Sequence, residues 1–222
     1  MRLSELTKPD SLTKIAYDAI YGCILSGQLT VDVVYKEKNI AENLGISRTP
    51  VREALLGLSS QGLITLLPRK GLVVNKFTRQ GVEEVFELRE AIEVATIKKI
   101  CQNNALSDFS HLGHCLRQHK ESLNSYSDLI SFMNFDREFH VALCQLAGNG
   151  LIVDIMSSIR DKIHLIGMQA LSMEGRMYDV IQEHEKIVEA LIAGREAEAV
   201  ELVTYHLKCS ESSVKNQMSK EE

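Results

Sequence analysis

The chain has 222 residues, 45% of them hydrophobic and 25% charged, and a formal net charge of −5, a composition that suits one large or two modest globular domains with a core of normal density. No apolar run approaches the roughly 18 residues needed to cross a bilayer, and the N-terminus has no secretory leader, so a soluble cytoplasmic protein without membrane partners is expected. The charge is uneven, with 10 Lys and Arg against 7 Asp and Glu in residues 1–78 and 15 against 23 in residues 79–222, so contact with a polyanion is expected of the weakly basic head alone.

Ser11 or Thr13 can open a first helix that runs through Ile15, Ala19, Ile20 and Ile24 to near Gly27. Ile40 to Leu58 then reads as two short helices joined by a tight turn. Ala41 is small where the helices cross, Gly45 is free to take positive φ, and Val51 and Leu55 face inward. Arg48 and Arg52, four residues apart, share the outer face of the second helix and offer bidentate guanidinium groups to phosphates or guanine edges. Ser47 or Thr49 can cap that helix, and Pro50 is tolerated in its first turn. Gly62 to Leu67 and Leu72 to Val74 read as two strands around the turn Pro68-Arg69-Lys70-Gly71, a wing with a basic tip.

Thr78 to Gly81 is the expected boundary between residues 1–78 and residues 79–222. Beyond it the pattern is helical: Val82, Val85, Phe86, Arg89, Ile92, Glu93, Thr96, Ile97 and Ile100 trace one face of a long helix. Breaks at Asn103-Asn104, Asn124-Ser125, Gly148 to Gly150, Met173 to Gly175 and Ala193-Gly194 predict about six helices of some 15 to 23 residues with short connections, followed by a polar tail from Ser210 to Glu222. The predicted fold is mainly α: a winged helix-turn-helix of three helices and a β-hairpin, followed by an all-α antiparallel helical bundle.

The bundle holds a candidate metal site. Asp136 and His140, four residues apart, stack on one helix face. His184 lies 10 residues before Gly194 and His206 lies 12 after it, so on a helical hairpin turning at Gly194 they stand about 15 and 18 Å from the bend, nearly level. One carboxylate and three imidazoles suit Zn²⁺, Ni²⁺ or another divalent transition metal rather than Ca²⁺ or Mg²⁺. Arg89 interrupts an apolar face and is expected either to pair with a bundle carboxylate or to await an anionic ligand. Arg160 is a weaker candidate of the same kind. The five cysteines, Cys23, Cys101, Cys115, Cys144 and Cys209, form no Cys-x-x-Cys and read as packed thiols in a reducing compartment, with Cys144 and Cys209 near enough to histidines to substitute as ligands. His111, His114, Cys115 and His119 read as an exposed helix surface.

Leu12 to Val74, with SRTPVREAL, the Gly-Leu-Ile element and the wing, resembles the winged helix of GntR-family bacterial transcription regulators. The resemblance implies DNA contacts from Lys38, Ser47, Arg48, Thr49 and Arg52 and from the wing residues Arg69, Lys70 and Gly71. The chain departs from that pattern at Leu29 to Val33, where a Pro-Gly turn is usual, and carries Lys38 where arginine is common. Residues 80–215 resemble the FCD effector-binding domain of the FadR-type branch through Asp136-x3-His140, Glu183-His184-x-x-Ile187 and His206-Leu207, which implies a metal held by the same four residues with coordination positions open to a small organic acid. The expected function is a homodimeric, ligand-responsive regulator on a palindromic site in double-stranded DNA. The alternatives are a repressor for which the ion itself is the signal and a helical-bundle metalloenzyme. The enzyme reading lacks a general base, because Glu138 and Glu185 turn away from the ligand face.

Overall fold

The computed structural model describes residues 10–103, 108–123, 129–170 and 176–221. The chain divides into two compact units between Lys76 and Phe77.

In the first unit, α1 (Leu12–Leu25), α2 (Glu37–Leu44) and α3 (Arg48–Ser60) are followed by β1 (Ile64–Leu67) and β2 (Gly71–Val74). Ser11, not Thr13, caps α1, its hydroxyl accepting from the Lys14 amide at 3.1 Å. Gly45 ends α2 at φ 65°, where its own amide and that of Ile46 close onto the Glu42 and Ala41 carbonyls. This left-handed residue turns the chain sharply into α3. Ala16, Ile20, Ala41, Val51, Ala54, Leu55 and Leu58 form the buried side of the three helices.

The strands pair antiparallel in the register Ile64↔Val74 to Leu67↔Gly71, with Arg69 in the turn at φ 63°. The stretch at Leu29 to Val33 is not a Pro-Gly turn here. Asp32 takes φ 61°, and bridges from Val31 to Val74 and from Tyr35 to Leu72 lay this segment beside the hairpin. The Tyr35–Leu72 pair exchanges both backbone bonds, at 2.8 and 2.9 Å.

The second unit contains α4 (Arg79–Gln102), α5 (Ser110–Ser122), α6 (Leu129–Leu146), α7 (Gly150–Ala170), α8 (Arg176–Ile192) and α9 (Glu196–Glu221). The helices run from 13 to 26 residues, a wider spread than the spacing of breaks predicts. At the expected boundary, Thr78 caps α4 by accepting from the Gly81 amide at 3.0 Å, so Arg79 to Gly81 already belong to the helix. The supposed polar tail continues α9, docked by Val214 and Met218 against Val82 and Phe86. The breaks at Asn104, Asn124-Ser125 and Met173 to Gly175 lie outside the described residues. Gly194, at φ 68°, makes the turn between α8 and α9.

Among the described residues the bundle holds three apolar clusters, the smallest of them Phe132, Val180 and Ile181, and α4 runs through the other two. One gathers Ile97, Ile100, Phe139, Leu143, Ile187, Leu191, Val203 and Leu207; the other gathers Val82, Phe86, Ile166 and Val214. Between them on α4 come Arg89 and Glu93, both 1% exposed, so the apolar stripe of that helix is interrupted by charge one turn wide.

The glycine at position 71 is required by a close backbone approach. Its φ is 128°, and a Cβ placed there would lie 1.9 Å from the Tyr35 carbonyl oxygen. Gly71→Ala is therefore expected to push the Tyr35 segment off the wing and to destabilise the first unit by about 2–3 kcal/mol. Denaturant unfolding of the full chain, followed at the Tyr35 phenol, reads this directly.

Candidate functional site

Asp136 and His140 stand on α6, His184 on α8 and His206 on α9, and one ligand atom from each falls within 4.8 Å of every other. All four are buried. His140 Nε2 and His184 Nε2 each lie 3.7 Å from Asp136 Oδ1, and His184 Nε2 lies 3.4 Å from His206 Nε2. Ligand atoms about 2.0–2.1 Å from a common zinc ion would stand roughly 3.4 Å apart in a tetrahedron, so this spacing has the size of a transition-metal shell.

The ring orientations are set from behind. Glu93, on α4, accepts from His140 Nδ1 at 2.6 Å, and its other oxygen accepts from Arg89 Nε at 2.9 Å. Glu183, on α8, accepts from His206 Nδ1 at 2.6 Å and from both terminal nitrogens of Arg176 at 2.6 and 2.9 Å. With Nδ1 donating to a carboxylate, the neutral ring turns the lone pair of Nε2 toward the other ligands. His184 is positioned by stacking, its ring 3.9 Å from that of Phe139 at an interplanar angle of 14°. Lone pairs of His184 and His206 that face each other repel unless a proton or a cation lies between them. Among the described residues the layer also holds three carboxylates, of Asp136, Glu93 and Glu183, against the guanidiniums of Arg89 and Arg176. The donor set therefore fits a divalent transition metal ion.

Arg89 does not choose between its two expected roles. It pairs with Glu93, and its Nη2 lies 3.4 Å from His140 Nε2, which leaves it on the rim of the quartet. Arg160 falls within α7, but its side chain is outside the described residues. Cys144 is not among the described residues whose ligand atoms converge, and burial and the nearby Glu93 carboxylate push its thiol up to about 12. Glu138 is exposed, and Glu185 pairs with Lys120 at 2.6 Å. The reading of positions 111 to 119 as a surface holds for His111 and His114 but not for Cys115 or His119. His119 is fully buried, its ring 4.3 Å from Phe132 and 5.3 Å from His184.

Sequence reasoning missed the positioning roles of Glu93, Glu183 and Arg176. For Glu93 the signal was its spacing of four from Arg89 on the buried stripe. For Glu183 it was only adjacency to His184, since nothing in sequence ties it to Arg176 seven residues earlier.

In the first unit, Lys38, Ser47, Arg48, Thr49, Arg52, Arg69 and Lys70 are exposed. Arg48 and Arg52 share the outer face of α3, opposite Val51 and Leu55, which are fully buried. Lys38 pairs with Glu42 at 3.5 Å, and Arg48 approaches Glu37 at 3.8 Å, surface contacts that a phosphate can displace. Ser47 takes the N-cap position, yet its hydroxyl makes no cap hydrogen bond. The first amides of α3 remain open to an anion.

A winged helix-turn-helix with exposed cations on its third helix, followed by an all-helical bundle with a buried ligand-type cluster, is the architecture of a DNA-binding regulator with a second, helical domain. Residues 12–74 match the family described as bacterial regulatory proteins, gntR family, and residues 84–208 match the FCD domain. The chain belongs to the GntR family of DNA-binding transcriptional regulators, in its FadR-type branch with an FCD domain. It is 28% identical over 180 residues to the HTH-type transcriptional repressor RspR of Escherichia coli strain K12, covering 81% of this chain and 78% of RspR. A GntR transcriptional regulator from Rhodococcus sp. RHA1 superposes with a TM-score of 0.83 at 23% identity, over 93% of this chain and 99% of that one. The metal-free FCD domain of the regulator TM0439 matches 66% of this chain and 99% of its own length, with a TM-score of 0.56 and 23% identity. No described helix is long and apolar enough to cross a membrane.

Burial alone would raise the Glu183 carboxyl, but hydrogen bonds from His206 and Arg176 outweigh it and hold the group below its ordinary 4.5. A depressed carboxyl stabilises the fold fully above its unfolded value, and that contribution disappears as pH falls through the folded one. Glu183→Gln is expected to lower stability by about 2–4 kcal/mol at pH 7 and to flatten the acid limb. Urea unfolding between pH 7 and pH 3 measures both.

Proposed function

We propose that this regulator binds a palindromic operator as a homodimer and senses a small carboxylate metabolite at a divalent transition metal ion, Zn²⁺ or Ni²⁺, held by Asp136, His140, His184 and His206. The observation that carries this reading is the convergence of four buried ligand atoms from three helices within 4.8 Å. Support comes also from the two carboxylates that fix His140 and His206 in the ligating tautomer. The metal would supply a localised positive pole in a buried layer, the property that draws a small carboxylate out of water.

The residues around it supply the rest. Arg89 is anchored by Glu93 and keeps Nη2 at the rim, placed to donate to the second oxygen of an acid that reaches the quartet. Arg160 is a second cation proposed for the same ligand. An effector shifts the regulator only by as much as it prefers one arrangement of α4, α6, α8 and α9 over another. On the DNA side, Arg48, Thr49 and Arg52 are assigned to the major groove, Lys38 and Ser47 with the open amides of α3 to phosphates, and Arg69, Lys70 and Gly71 to the wing contact.

The deciding experiment combines metal analysis with thermal shift against a panel of small carboxylates, before and after chelation. One metal equivalent per chain, and stabilisation of about 2.7 kcal/mol by a true effector at a hundredfold excess over Kd, are expected. His184→Ala should lose both while keeping operator affinity. A chain that carries no metal after growth in metal-supplemented medium, or acids that stabilise the chelated protein equally, would defeat the reading.

Arg52→Ala is expected to weaken operator binding about 10- to 100-fold while leaving metal content unchanged, as electrophoretic mobility shift and metal analysis would show. An unchanged operator affinity would remove α3 from the groove.

A further inference from the structure

The bundle contains two relays of the same chemistry, guanidinium to carboxylate to imidazole. In the first, Arg89, Glu93 and His140 are at most 1% exposed. In the second, Arg176, Glu183 and His206, the guanidinium end is 8% exposed and lines a cleft of about 390 Å³ between α8 and α9. The cleft has none of the quartet in its walls.

We propose that this cleft is a second ligand site, separate from the histidine quartet, and that it takes a small oxyanion, a carboxylate or a phosphate group. Arg176 spends three N–H groups on Glu183 and Ser210, the last at 3.1 Å, and a guanidinium carries five. Among the described residues, two donors remain on a side chain that Glu183 already holds. Across the cleft α9 contributes Lys208, Tyr205, Ser212 and Ser213, an ammonium and three hydroxyls, within the same wall. These are the donors an oxyanion needs.

Two charges oppose the site. Glu183 offsets Arg176, and Asp179, the one carboxylate among the described lining residues, adds a second negative charge near Arg176. Recognition therefore rests on directed donors more than on a long-range field, and the affinity belongs in the millimolar range. Asp179 gives the site a signature, because removing its charge must improve binding while removing that of Lys208 must weaken it. The cleft reaches the quartet through one carboxylate, since the oxygen of Glu183 that accepts from Arg176 Nη2 also accepts from His206 Nδ1.

The test is a titration of the full chain with inorganic phosphate and, in a second arm, with acetate, followed by amide chemical shifts. Saturable shifts centred on residues 205–216 are expected, and they persist after chelation, because the site stands whether or not the quartet holds a metal. The arm that saturates at lower concentration identifies the anion class. Lys208→Ala should raise Kd roughly fivefold or more, and Asp179→Asn should lower it by a similar factor. Lys120→Ala, on α5 and outside the cleft, should leave Kd as it is. Saturation in neither arm, shifts confined to the quartet or to the first unit, or a Kd that ignores both Lys208→Ala and Asp179→Asn overturns the proposal.

Discussion

Carboxylates that hold imidazoles from behind are the interaction on which the FCD domain depends. A helical bundle closes by matching apolar stripes, and charge in the stripe is destabilising by several kcal/mol per ion unless it is paired. Here Glu93 and Glu183 each satisfy one guanidinium and one ring nitrogen at once. Two pairs of helices are thereby held in register, Glu93 tying α4 to α6 and Glu183 tying α8 to α9. A pair of well-packed leucines would close the same space as stably. The polar layer is retained for what it presents, three ring nitrogens and a carboxylate aimed at one point.

That layer also explains why the apolar stripe of α4 is split between two clusters. Val82 and Phe86 lie below Arg89 on α4, and Ile97 and Ile100 lie beyond Glu93. On α9, His206 falls between Val203 and Leu207 of the first cluster, and Val214 of the second lies two turns beyond. Each cluster excludes water from the layer between, which strengthens every electrostatic interaction inside it. Near the ends of α4 and α9, Lys215 bridges Glu83 and Glu211 at 2.8 and 2.7 Å, closing the seam between the two helices that carry Arg89 and His206.

Much of this was legible in the chain. Helix periodicity placed Arg48 and Arg52 on one face and Val51 on the other, because a turn of 3.6 residues leaves little choice. The count from Gly194 brought His184 and His206 level, because an antiparallel hairpin has a fixed rise. The less legible parts have physical causes. Ser47 satisfies the composition of a cap without making its hydrogen bond, which depends on a rotamer and not on residue type. His119 shares residue type and helix with His111 and His114 but is buried, since burial is decided by the neighbouring helices that supply Phe132 and His184. Thr78 to Gly81 has the composition of a linker and the geometry of a helix start.

From the amino-acid order alone came the winged head, the helical bundle, the outward guanidiniums of α3 and the identities of Asp136, His140, His184 and His206. These follow from local rules, in which periodicity, capping residues and fixed helical rise act over a few turns of chain. Only the tertiary structure decided which carboxylates stand behind which rings, that Gly71 is needed by the Tyr35 backbone, and that Arg176 opens onto a cleft while Arg89 does not. Those outcomes depend on side chains from different elements, the carboxylate and ring pairs being 23 and 47 residues apart. No local rule reaches that far, because the cost of burying each charge is settled only when its partner arrives.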